Sequence, residues 1–316
     1  MPSPLPSLGL NLPYVEGSMD GSTPRWADLR AMAIEAESIG FDTVWVSDHV
    51  GFGDPDTEGG WTGAWESWTL VTALAAVTSR VRLGTYVSAA PYRNPALLAK
   101  MAETLDEVSG GRAILGLGAG WNEPEFAAYG FPWERRFDRF EDGLRIVTSM
   151  LRTGRADHEG LESARGALIR PRGPRPEGLP VMVGASAPRM LGLAAELADE
   201  WNAGMRSPAE LVPMLAKLDA ALEAVGRDPA SIRRSAEAMV RPGGGSSGED
   251  AGTPTTPDAR GNGDHPLTGT PGAVAAGLRR YFDLGCDHVQ VQLRPNSLEG
   301  VRAFAPVMDA FRAGAA

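Results

Sequence analysis

The chain has 316 residues, 43% of them hydrophobic, with a formal net charge of −10 and a pI near 5.0. That composition supports a sizeable core and excludes a disordered chain; the acidic balance argues against nucleic acid or an anionic membrane as partner. No apolar run approaches the roughly 18 residues of a membrane-spanning helix, and a single cysteine, Cys286, rules out an internal disulfide.

The opening text, MPSPLPSLGLNLP, lacks the charged and apolar regions of a signal peptide, so a cytoplasmic protein is expected. Strand-like and helix-like segments then alternate along the chain, which points to βα units around a parallel sheet. The first strand is expected at Leu8 to Leu12. Thr23 and Pro24 read as an N-cap and first-position proline, before a helix that Gly40 stops. The second strand, Thr43 to Ser47, delivers Asp48 and His49 at its end. A glycine-rich loop with Trp61, Trp65 and Trp68 follows, then a helix through Ala76. The third strand is Val81 to Val87, and Asn94-Pro95 opens the next helix.

The fourth strand, Ala113 to Leu117, runs into glycines at alternate positions, Gly116, Gly118 and Gly120. These let the backbone pass close to a neighbour. Trp121, Asn122, Glu123 and Glu125 come directly after, and an aromatic patch of Tyr129, Phe131 and Trp133 leads to a helix from about Arg135. The spacing G-x-G-x-G is not the G-x-G-x-x-G of a dinucleotide-binding turn. From Thr153 to Pro180 the text is irregular. Strand five is Val181 to Gly184, strand six Glu200 to Ala203, strand seven Ile232 to Val240 and strand eight His288 to Leu293, each followed by helical periodicity. The stretch 241–266 is rich in Gly, Ser, Pro and acids and is expected to be a flexible loop within a single domain spanning 1–316. It emerges on the same face as the other strand ends, where it could act as a lid or as a plain surface excursion.

Eight strands with eight following helices make a (β/α)8 TIM barrel the economical fold, with loop insertions at the C-terminal face. Active sites of such barrels lie at the C-terminal strand ends, which selects Asp48 and His49, Ser88 to Arg93, Trp121 to Glu125, and Gly184 to Ala187. His49 could move a proton or donate a hydrogen bond near neutral pH. Asp48 could cap its own loop or contact a cofactor. Gly184-Ala185-Ser186 before Pro188 could hold an anion at a helix start, and ordinary capping by Ser186 would account for it equally. Trp61, Trp65, Trp68 and Trp121 suggest an aromatic-lined pocket, or a cluster pinning a long loop. No metal site is expected: His158 and His265 lie in irregular text, His288 starts strand eight at the opposite end, and a barrel hydrolase site gathers several ligands at strand ends.

The run GLGAGWNEPEF, the YGFP that follows, and LGTYVSAAPYRNP at strand three together resemble the luciferase-like monooxygenase superfamily, in particular its branch that uses the deazaflavin coenzyme F420. The resemblance extends from Gly9 to Phe311. It implies a usually homodimeric oxidoreductase that passes a hydride between coenzyme F420 and a small organic substrate, with an FMN-dependent monooxygenase as the alternative. A barrel that only binds a ligand is the further alternative. The resemblance assigns His49 as the catalytic residue and Asp48, Tyr86, Val87, Ser88, Asn122, Gly184, Ala185 and Ser186 to the cofactor. It implies a cis peptide at Tyr86–Val87, where the family usually has a small residue before the valine. Tryptophan at 121, where the sugar-phosphate dehydrogenases of the family have glutamate, argues against glucose 6-phosphate as substrate. Arg93, Arg135 and Arg136 are candidate positive charges for the tail of the deazaflavin.

Overall fold

A computed structural model of the chain describes residues 6–54, 57–243 and 266–314. In chain order its strands are β1 (Ser7–Asn11), β2 (Thr43–Val46), β3 (Gly51–Gly53), β4 (Trp61–Gly63), β5 (Arg82–Thr85), β6 (Ser88–Ala89), β7 (Ala113–Gly118), β8 (Arg155–His158), β9 (Ala164–Leu168), β10 (Val181–Gly184), β11 (Glu200–Met205), β12 (Arg233–Val240) and β13 (His288–Leu293). The helices are α1 (Trp26–Ile39), α2 (Ser67–Val77), α3 (Pro95–Ser109), α4 (Glu123–Tyr129), α5 (Arg136–Thr153), α6 (Pro188–Leu197), α7 (Pro208–Ala224), α8 (Pro271–Asp283) and α9 (Leu298–Ala313). Strands β1, β2, β5, β7, β10, β11, β12 and β13 pair in parallel, and the β13–β1 pairing closes the ring. This is the TIM barrel expected, with all eight strands where the sequence placed them. The region 241–266 falls almost wholly outside the described residues, as does His265.

Four local expectations are corrected. Helix α1 starts at Trp26 with Arg25 as N-cap, not at Pro24: the Asp28 carboxylate accepts from the Arg25 N–H at 2.8 Å, while the Pro24 carbonyl accepts from the Trp65 indole. The loop after β2 contains an antiparallel hairpin, β3–β4, and the irregular 153–180 region contains another, β8–β9. The polar segment after β7 is itself a short helix, α4. The Asn94 cap holds, its side chain accepting from Leu97 N–H at 3.1 Å.

Alternate strand residues face the helices and the barrel interior. Leu8 and Leu10 of β1 join the large apolar layer under the helices. Gly9, between them, faces inward, and a Cβ there would stand 2.6 Å from the Trp45 indole nitrogen; one at Gly84 would stand 2.5 Å from the other edge of the same ring. Trp45 fills the space both glycines leave. Ile114 and Met182 pack with it, and alongside them runs a polar column. The Trp45 indole donates to Thr43 Oγ1 (2.7 Å), which bonds His288 Nε2 (2.9 Å). His288 Nδ1 lies 3.4 Å from Glu200. Higher up, Asn202 donates to Ser235 (3.0 Å) and Gln290 (3.1 Å), and its oxygen accepts from the Tyr86 hydroxyl at 2.9 Å.

Glu200 is fully buried at the base of this column. Burial alone would raise its pKa, but His288, Arg233 and Ser235 outweigh that and hold it at about 2, against 4.5 in the free side chain. A depressed carboxylate adds stability that is present above its unfolded value and is lost as pH falls through the folded one. Acid unfolding of the protein is therefore expected to steepen between pH 4.5 and about 2. In Glu200→Gln that steep limb should flatten, measured by circular dichroism across an acid titration; an unchanged limb would remove Glu200 as its origin.

Candidate active site at the C-terminal mouth of the barrel

His49 sits at the C-terminal end of β2, its side chain 17% exposed, between the rings of Phe52 (centroids 4.6 Å apart) and Trp121 (5.3 Å). Its Nδ1 is 2.7 Å from Glu125 Oε1, and Glu125 Oε2 accepts the Val50 N–H at 3.1 Å. A carboxylate acceptor places the hydrogen on Nδ1, which leaves Nε2 as the nitrogen able to take or give a proton. Glu125, on α4, is wholly buried. Burial pushes its pKa up, yet the His49 hydrogen bond and charge, the nearby Tyr92 hydroxyl and the Val50 N–H together bring it below the usual value. Tyr92 is buried beside it without a hydrogen bond of regular geometry; burial first, then the Glu125 charge, holds its hydroxyl protonated.

Sequence reasoning placed Glu125 at the mouth without assigning it to His49, 76 positions away. The usable signal was a carboxylate in the first turn of a segment that also follows a barrel strand.

The Tyr86–Val87 peptide is cis, as the resemblance implies. Val87 packs against the glycine-lined ends of the neighbouring strands. A Cβ at Gly118 would lie 2.7 Å from Val87 Cγ2, one at Gly116 would lie 2.2 Å from the Thr85 carbonyl and 3.1 Å from Val87 Cγ1, and one at Gly184 would just touch both methyls. The alternating glycines of β7 thus make the room in which Val87 sits. Tyr86 reaches across the lumen to Asn202 and meets Trp45 edge-on at 6.0 Å.

The other singled-out residues divide into braces and open groups. Asp48 is buried, accepting from Arg93 (2.6 and 3.0 Å) and from Ser67 (2.6 Å), so it ties β2 to α2 and to the segment after β6. Ser88 is buried between the Trp68 indole, which donates to it at 3.0 Å, and Thr85. Asn122 does not cap α4; it donates to the Gly51 carbonyl at 2.9 Å and pins the β3–β4 hairpin. By contrast α6 begins at Pro188 with Ala187 as N-cap and no side-chain cap bond, and Ser186 is exposed, so Ser186 does not cap this helix. The N–H groups of its first turn and the Ser186 hydroxyl fit an anion. The Trp201 indole donates to Ala185 O at 2.9 Å and steadies that loop.

Of the tryptophans named above, Trp121 stands against His49, and Trp61 lies on the adjacent hairpin, stacked on Tyr129. Trp68 belongs to the buried core, and Trp65, 44% exposed, is held by Pro24. Arg93 is spent on Asp48 and Glu66, and Arg135 on Asp138. Arg136 lies over the Trp133 ring at 4.0 Å with its buried Nε unbonded. Cys286 is buried, which pushes its thiol pKa up to about 12. Among the described residues no three His, Cys, Asp or Glu side chains gather as for a metal ion. No helix among them is long and apolar enough to cross a membrane.

Comparison with known proteins agrees with this architecture. A 5,10-methylenetetrahydromethanopterin reductase of Archaeoglobus fulgidus is 31% identical over 193 residues, covering 61% of this chain and 53% of the relative. The pyrimidine monooxygenase RutA of Cronobacter sakazakii is 34% identical over 188 residues, covering 55% and 54%. The matches thus span little more than half the length of these curated relatives. A solved F420-dependent secondary alcohol dehydrogenase in complex with an F420-acetone adduct superposes with a TM-score of 0.78 over 98% of this chain and 99% of that one, at 18% identity, and shares the fold. Residues 7–244 match the luciferase-like monooxygenase family. With that match over most of the chain and its barrel described, the protein belongs to the luciferase-like monooxygenase family.

Proposed function

We propose that the protein is a coenzyme F420-dependent oxidoreductase acting on a small organic substrate. The observation that carries this reading is the His49–Glu125 pair, at the mouth of the same barrel as the glycine-cradled Val87 and the uncapped start of α6. When bound, the deazaflavin would supply the hydride acceptor or donor. The chain's own part is binding and proton handling. Gly184, Ala185 and Ser186 would hold the phosphate, Tyr86 and Val87 would support the ring, and Asp48, Ser88 and Asn122 would keep the surrounding loops in register. Of Arg93, Arg135 and Arg136, only Arg136 makes no ion pair among the described residues, which supports it as the side chain that meets an anionic tail. His49, fixed through Nδ1, would give a proton to or take one from the substrate oxygen at Nε2.

The names of the similar proteins support a reductase or dehydrogenase reading. The relative named a monooxygenase supports the FMN-dependent, oxygen-using alternative. Anaerobic assay separates the two: turnover of carbonyl or unsaturated compounds with reduced F420 and no oxygen is expected. Turnover that requires FMN and oxygen would overturn the proposal.

A further inference from the structure

Two buried amide oxygens on the active-site face have no partner. Asn11, at the end of β1, is 7% exposed, and Asn296, just beyond β13, is 6% exposed. The amide orientations follow from their donors. Asn11 Nδ2 donates to Glu237 Oε1 at 2.7 Å, reaching from β1 to β12 past the intervening β13, and Asn296 Nδ2 donates to the Asn11 carbonyl at 3.2 Å. Both nitrogens face oxygen acceptors, so the oxygens are the atoms left over, and each is buried without a hydrogen bond. Asn11 shares the inward face of β1 with Gly9, two residues below it, against Trp45. Its amide therefore stands in the lumen, one step above the tryptophan that Tyr86 meets edge-on.

Leaving a buried acceptor unpaired is costly, and most buried polar groups in folded proteins are satisfied. Each of these two oxygens is a buried acceptor without a donor, so it suits a group with an N–H or O–H.

We propose that Asn11 and Asn296 form a subsite that binds a hydrogen-bond donor, an imide or amide N–H or a hydroxyl, of the molecule held in the mouth. Two sources carry that chemistry: the imide N–H of the coenzyme's pyrimidine ring, and a donor group on the substrate away from the reacting carbon. The inference rests on the oxidoreductase reading only for its ligands; the unpaired oxygens stand without it. The subsite sets what is recognised, and it is separate from the proton transfer at His49.

The test uses the full chain and Asn296→Leu, which removes one unpaired oxygen and one long hydrogen bond at nearly constant volume, with Asn11→Ala as the second variant. The probes are coenzyme F420, followed by tryptophan fluorescence, and whichever carbonyl compound the anaerobic assay turns over. Loss of one acceptor to a bound donor corresponds to about a tenfold fall in affinity. With the coenzyme ring as source, the F420 Kd rises about tenfold in both variants. With the substrate as source, KM rises by that factor while the F420 Kd and kcat hold. In either case the melting temperature of Asn296→Leu stays near that of the wild type, because the change removes an unpaired oxygen along with the long bond to the Asn11 carbonyl, and the binding loss therefore does not follow stability. Wild-type F420 affinity and KM in both variants, or losses that only follow a fall in melting temperature, would overturn the subsite. Failure of the wild type to bind F420 at all would overturn the oxidoreductase reading instead.

Discussion

Replacing His49 with alanine is expected to lower turnover by a factor of about 10² to 10⁴, the usual contribution of a positioned acid or base, and to leave the coenzyme Kd near its wild-type value. The geometry gives the reason. Nδ1 is committed to a buried carboxylate at 2.7 Å, so Nε2 is the one ring nitrogen available for proton transfer. Glu125→Gln should fall between wild type and His49→Ala, since the amide keeps the volume but drops the charge that pairs with a protonated ring. The pH dependence carries a sign. Glu125 lies below the ordinary carboxylate value of 4.5, so it remains ionised as pH falls to that point, and its support for His49 is lost only at lower pH. Steady-state kinetics with a parallel coenzyme titration measures both quantities. Unchanged kcat in His49→Ala would remove this residue from the chemistry.

The second large effect is expected at the glycines of β7. In Gly116→Ala the new methyl would stand 2.2 Å from the Thr85 carbonyl, a backbone atom that cannot rotate away. Overpacking of this kind costs about 1–3 kcal/mol and sometimes more. The strain falls on the residue just before Tyr86 and Val87, so both melting temperature and coenzyme affinity should drop. In Gly118→Ala the clash is with a Val87 methyl at 2.7 Å, which can shift. That variant should keep more of its stability and still bind coenzyme more weakly. Thermal melts and fluorescence titrations on the pair give the comparison. Equal coenzyme affinity in wild type and Gly118→Ala would mean that Val87 does not support the ring.

The eight barrel strands were readable because each places apolar residues at its helix-facing positions and is bounded by turn chemistry, and the barrel rule then selected the face on which His49 lies. The two hairpins were not readable. Strands β3 and β4 have three residues each, too few for alternation to show, and half of those residues are glycine. Helix α4, seven residues with a proline near its start, is similarly short of periodic signal. The Thr23-Pro24 cap misled because Asp28 caps Arg25 instead. Within the site, residue types could nominate His49 and the 184–186 loop, and the resemblance nominated Tyr86–Val87. What one-dimensional text could not supply was pairing. Glu125 meets His49, Asp48 meets Arg93, and Asn11 meets Glu237, 226 positions away, only after the barrel has closed.

A side-by-side titration of the apoprotein with coenzyme F420 and with FMN tells the two cofactors apart. Tryptophan emission reports it, since Trp45 lies 6.0 Å from the Tyr86 ring. Saturable quenching by F420 at concentrations where FMN gives little is the predicted result. Tighter binding of FMN, or binding of neither, would contradict the deazaflavin assignment.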